Sequence, residues 1–95
     1  MPRILKRPEA DKDLDEIWWH IAQDSQHNAD RFLDRILEKC LILASFPQIG
    51  TERDELMDGL RSQSIGSYLV FYFPIDDGID IVRILHGSRD VESLF

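Results

Sequence analysis

Tyr68-Leu-Val-Phe-Tyr-Phe-Pro-Ile-Asp-Asp-Gly-Ile-Asp-Ile-Val-Arg-Ile-Leu-His86 decides the fold. Residues 68–73 are apolar at every position, the mark of a strand covered on both faces and central in its sheet. Pro74 to Gly78 carry turn chemistry, ending on a glycine. Ile79–Leu85 then repeat the apolar pattern as a second strand. Upstream, Leu60–Ile65 leads through Gly66-Ser67 into the first of these runs, so three consecutive strands are expected to pair antiparallel.

The preceding half has a different period. Between about residues 9 and 24, Ala10, Leu14, Ile17, Trp18 and Ile21 recur at helical spacing. Asp11, Asp13, Asp15 and Glu16 occupy the early turns, where negative charge favours a helix N-terminus and the outer surface stays wet. Pro8 suits a first helical position. Ser25-Gln-His-Asn28 interrupts the pattern and offers Asn28 as an N-cap. A second helix is expected to about Phe46, with Ala29, Phe32, Leu33, Ile36, Leu37, Cys40, Leu43 and Ala44 as its stripe. So short a connection makes the two helices an antiparallel hairpin. Pro47 ends the second helix and residues 47–58 read as an irregular connection. Residues 3–7 make a short opening strand. The summed order, β-αα-βββ, predicts an α+β fold with the helical hairpin on one face of a small, mainly antiparallel sheet.

Bulk properties narrow the function. Ninety-five residues predict one domain over 1–95, with a single compact core. The sole cysteine, Cys40, leaves no internal disulfide framework and fits a reducing cytosol. No apolar run approaches the roughly 20 residues of a membrane span, and the N-terminus lacks the apolar stretch of a signal peptide. The net charge of -7 opposes direct binding to free nucleic acid, whose affinity comes from Lys and Arg on phosphates. It suits a protein partner with a basic surface.

The residues that could carry chemistry lie late in the chain. Arg61, Arg83, His86 and Arg89 are the candidate set, followed by a short tail ending on Phe95. By strict alternation Arg83 shares a strand face with Ile79, Ile81 and Leu85, where a solvated charge is out of place. It is either functional or paired with a carboxylate such as Asp90 or Glu92. Arg89 and Asp90 form a second candidate ion pair. A metal-free ribonuclease needs a base, a cation and an acid, and only His86 in this cluster titrates near neutrality. No cofactor loop or metal-ligand spacing is present, and Cys40 sits within an apolar stripe as inert core. Trp19 lies nearly opposite the first helix's core stripe, either as a partner contact or laid over neighbouring aliphatic stems.

The chain resembles the RelE/ParE toxin superfamily of bacterial type II toxin–antitoxin pairs. The resemblance rests on Ala10-Asp-Lys-Asp-Leu14-Asp-Glu-Ile17-Trp18, Ala29-Asp30-Arg31-Phe32, Phe46-Pro47-Gln-Ile-Gly50, Gly59-Leu60-Arg61-Ser62, Tyr68-Leu-Val-Phe-Tyr72 and Ile84-Leu-His86-Gly-Ser-Arg89-Asp90. It implies a cytosolic toxin and a small cognate antitoxin, of ribbon-helix-helix type in the ParE branch, with a homodimer or a heterotetramer as the assembly. Two activities are implied. RelE-like members cleave messenger RNA at the ribosome, commonly with a tyrosine near the C-terminus, whereas ParE-like members inhibit DNA gyrase. Here Tyr68 is followed by Leu69 where RelE-like nucleases tend to carry an arginine, and the terminal aromatic is Phe95, which has no hydroxyl. Those departures and the acidic charge favour the ParE branch, an inhibitor rather than a catalyst. On that reading Arg61, Arg83, His86, Arg89 and Phe95 meet gyrase, and Trp19 meets the antitoxin or a second copy. The rival readings are a ribosome-dependent endoribonuclease using His86, Arg83 and Arg89, and a non-toxic antitoxin-binding module.

Overall fold

The computed structural model describes residues 2–95. The chain runs β1 (Arg3–Lys6), α1 (Pro8–Ala22), α2 (Gln26–Ser45), a 3-10 turn (Pro47–Ile49), β2 (Thr51–Glu52), β3 (Arg61–Ile65), β4 (Tyr68–Ile75), β5 (Gly78–His86) and a second 3-10 turn (Val91–Leu94). The five strands lie in the order β1-β5-β4-β3-β2. β1 is parallel to β5, and the remaining pairs are antiparallel. The expected α+β layout is present, with an extra strand, β2, inside the connection expected to be irregular.

Local chemistry accounts for the boundaries. Pro8 opens α1 after an extended Arg7, and Glu9 and Asp11 lie in its first turn. α2 begins three residues earlier than an Asn28 cap implies. The cap is Ser25, whose Oγ accepts the Asn28 N–H at 3.1 Å. Asn28 is therefore the capped residue and not the cap. The two-residue turn between β3 and β4 places Gly66 at φ 59°, the positive angle that a tight hairpin needs at its first central position. Pro74 is tolerated within β4 because β3 pairs only as far as Tyr72, so β4 has an open side there.

A bulge in β5 divides its side chains between two cores. Tyr72 faces Ile81 and Phe71 faces Arg83, which leaves Val82 as the extra residue. Ile79, Ile81 and Ile84 consequently join the core beneath the helices, with Ile17, Ile36, Cys40, Leu43, Val70 and Tyr72. Val82 and Leu85 join Leu60 and Phe71 on the opposite face. The strict alternation that grouped Leu85 with Ile79 and Ile81 does not hold across this bulge. The second face is roofed by Leu56 from the connection and by Val91, Leu94 and Phe95 from the tail.

Cys40 is enclosed in the helix-side core, and burial pushes its thiol up to about 11. At pH 8 only about a thousandth of it is thiolate. A disulfide reagent such as DTNB is therefore expected to leave the native protein unlabelled and to react within minutes in denaturant. Rapid labelling under native conditions would contradict this placement.

Candidate functional site

The structure separates the predicted basic residues into two kinds. Arg83 is committed to α1. Its Nε and Nη2 donate to the two Asp13 oxygens at 2.8 and 3.0 Å, and the same carboxylate accepts the Ile84 N–H at 2.9 Å. β1 runs out opposite Ile81, so the β5 edge beyond it has no strand neighbour, and Asp13 takes over there as acceptor. The Asp13 carboxylate, with Glu9 and Glu16 further off, raises the Arg83 pKa above its ordinary value. The expected partners were Asp90 or Glu92, but the actual partner lies seventy residues upstream. Asp13 sits in the middle of the α1 stripe, between Ala10 and Ile17, and a carboxylate in that place was the signal for it.

Arg61 is also spent internally. Its Nη1 donates to the Gln48 and Gly50 carbonyls at 3.0 and 2.7 Å, and its Nη2 to Gln48 Oε1 and Glu52 Oε1 at 2.7 and 3.2 Å. Its cross-strand neighbour Tyr72 holds the same segment. The Tyr72 hydroxyl donates to the Pro47 carbonyl at 2.7 Å and accepts the Gly50 N–H at 3.0 Å. Burial raises the pKa of that phenol, so it stays a donor over the whole neutral range. Arg61 and Tyr72 together form a latch on residues 47–50.

His86 and Arg89 are different. Both are exposed and border a cleft of about 150 Å³ with Asp13, Glu16, Ile17, Tyr68, Ile84 and Leu85. The His86 ring stands edge-on to Tyr68, 5.1 Å between centroids. Its Nδ1 accepts the Ser88 N–H at 3.1 Å, which leaves Nε2 as the nitrogen not engaged by Ser88. Arg89 is positioned by its backbone N–H, which donates to the His86 carbonyl at 3.0 Å. Among the described residues its guanidinium has no ion-pair or hydrogen-bond partner, and the expected bridge to Asp90 is not formed.

The two aromatics fall in unlike places. Phe95 lies on Phe71, ring centroids 5.0 Å apart, as part of the second core. Trp19 is 66% exposed. It stands at 86° to Trp18, whose indole N–H donates to Asp30 at 2.8 Å and ties the hairpin together. Among the described residues no group of three or more His, Cys, Asp or Glu side chains could hold a metal, and no helix is long and apolar enough to cross a membrane.

A helical hairpin lies on a mixed five-stranded sheet, and the cleft at the end of the last strand is lined by both carboxylates and basic side chains. A chain of the chromosomal ParDE toxin–antitoxin system from P. aeruginosa has the same fold, with a TM-score of 0.74 over 90% of this chain and 96% of that one, at 21% identity. The family described as the ParE toxin of type II toxin-antitoxin system, parDE, matches residues 4–91. Toxin ParE1 of Mycobacterium tuberculosis is 36% identical over 95% of this chain and 94% of its own length. Toxin ParE3 of Caulobacter vibrioides is 30% identical over 96% and 92%. The chain belongs to the ParE toxin family.

Proposed function

We propose that this ParE-family toxin inhibits DNA gyrase by protein–protein contact, holding the enzyme on cleaved DNA, and that a cognate antitoxin neutralises it in the cytosol. The ParDE structural neighbour and the family match support an antitoxin partner. A ribbon-helix-helix protein is the type expected, meeting Trp19 and the exposed apolar positions of the hairpin. The observation that carries the gyrase reading is the division of the basic residues. Arg61 and Arg83 brace the molecule, while the Arg89 guanidinium, unpaired among the described residues, and the His86 ring border one cleft. One imidazole and one guanidinium suit recognition of a protein surface better than the base, cation and acid of phosphodiester cleavage. Phe95 contributes by fixing the tail from which Arg89 projects.

The test is a supercoiling assay with purified gyrase. The wild-type chain is expected to inhibit and to accumulate cleaved DNA. Arg89→Glu should weaken inhibition at least tenfold with an unchanged melting temperature, because the side chain is exposed. No inhibition at a large molar excess of wild-type toxin would sink the proposal. Codon-positioned cuts in translated messages, lost in His86→Ala, would replace it with the nuclease reading.

A further inference from the structure

The clearest surface feature outside the cleft is Trp19 and the carboxylates around it. Asp15 and Glu16 precede Trp19 by four and three residues, so they lie one turn away and bracket it on the helix surface. A helical side chain leans toward the turn N-terminal to its own Cα, which carries the Trp19 ring toward these two acids. Among the described residues neither carboxylate has an ion-pair or hydrogen-bond partner. The ring is not loose: its edge-to-face contact with Trp18 sets its orientation, and Trp18 is itself fixed by its bond to Asp30.

This combination selects for one kind of group. An apolar partner would bury two solvated carboxylates beside it, at a cost in desolvation. An anionic partner would meet like charge there and a net charge of -7 over the whole chain. A guanidinium satisfies all three side chains at once. Its planar face stacks on indole, the best cation-π acceptor, while its N–H groups donate to flanking carboxylates. Glu16 also borders the His86–Arg89 cleft, so the two surfaces are continuous along α1.

We propose that Trp19, Asp15 and Glu16 form the docking point for an arginine of a basic partner segment. This rests on the reading above that the chain acts through protein partners, and it adds the chemistry that such a partner must present.

The probe is an amidated helical peptide with arginines four residues apart, compared with the same peptide carrying citrulline, which keeps the shape and loses the charge. Binding to the full chain is followed at low ionic strength through the indole N–H signals of the two tryptophans. The arginine peptide is expected to move the Trp19 signal and to leave that of Trp18 near its place. The citrulline peptide should bind at least tenfold more weakly, and 0.5 M salt should abolish most of the difference. Trp19→Phe should weaken binding about twofold, and Trp19→Ala or the pair Asp15→Asn, Glu16→Gln at least fivefold. These positions are on the surface, and an unchanged circular dichroism melt verifies that each variant is folded. Equal binding of the citrulline peptide, or full binding by folded Trp19→Ala, would overturn the proposal. No gyrase is present in the titration, so its failure leaves the supercoiling result standing, and the converse also holds.

Discussion

Replacing Asp13 with alanine is expected to lower the unfolding free energy by about 3–4 kcal/mol, the largest loss from any polar substitution in this protein. Asp13 is 8% exposed and Arg83 22% exposed at the side chain, so the bidentate pair is largely removed from water. Removing the acid strands a guanidinium in that setting, typically worth 3–5 kcal/mol for a fully buried pair. Arg83 keeps enough exposure to recruit some water, which places this case near the lower bound. Loss of the acceptor for the Ile84 amide then adds to it. In a domain of this size such a change lowers the melting temperature by on the order of 15–25 °C. Asp13→Asn keeps an oxygen for Ile84 and part of the Arg83 contact, and should cost roughly half as much. Chemical denaturation of the three proteins would check the ranking. A loss under about 1 kcal/mol in Asp13→Ala would show that the contact to α1 is dispensable.

The latch on residues 47–50 gives the second large effect. Arg61→Ala should cost about 2–3 kcal/mol, because the Gln48 and Gly50 carbonyls lose a charged donor. Tyr72→Phe should cost about 1–3 kcal/mol by leaving the Pro47 carbonyl and the Gly50 amide unpaired. Because both side chains hold one short segment, once either is gone the segment is already loosened. The double variant is therefore expected to lose less than the sum of the single losses, with a coupling of about 1 kcal/mol. Strict additivity in a double-mutant cycle would mean that the two residues stabilise separate parts of the molecule. Gly50 belongs to the same latch. A Cβ there would run into the Tyr72 hydroxyl and ring, so Gly50→Ala should resemble a latch lesion and not a neutral loop change.

Element types were legible because they rest on local period and composition. The helical stripes, the apolar runs of β4 and β5, and the hairpin connection each follow from residues close together in the chain. Four features needed the folded context. Ser25 outcompeted Asn28 as the cap, and both are good capping residues separated by one helical turn. The bulge at Val82 is hard to see in the nearly all-apolar run 79–85, where the only polar residues, Asp80 and Arg83, are too few to fix an alternation. β2 has two residues and no apolar signature of its own. The pairing of Arg83 with Asp13 depends on where β1 ends, which no short window reports. The cleft was half visible. His86 and Arg89 stood out as ionisable groups after a strand, but their separation from Arg61 and Arg83 rests on partners far away in sequence. Asp13 could have been recognised as the one acid inside the α1 core stripe. Its neighbours Asp11, Asp15 and Glu16 made it look like part of a wet face.

The parallel pairing of β1 with β5 has a consequence in time. Ile4 lies against Ile79, so the first strand made cannot find its place until nearly the whole chain exists. Asp13 likewise waits for Arg83 and Ile84, and the cleft draws Glu16 from the first helix and Arg89 from the tail. Synthesis runs from the N-terminus, so an unfinished chain can assemble its helical hairpin but not the surface that bears His86 and Arg89. A chain still lacking β5 therefore has neither the partner that holds Asp13 nor the walls of the cleft.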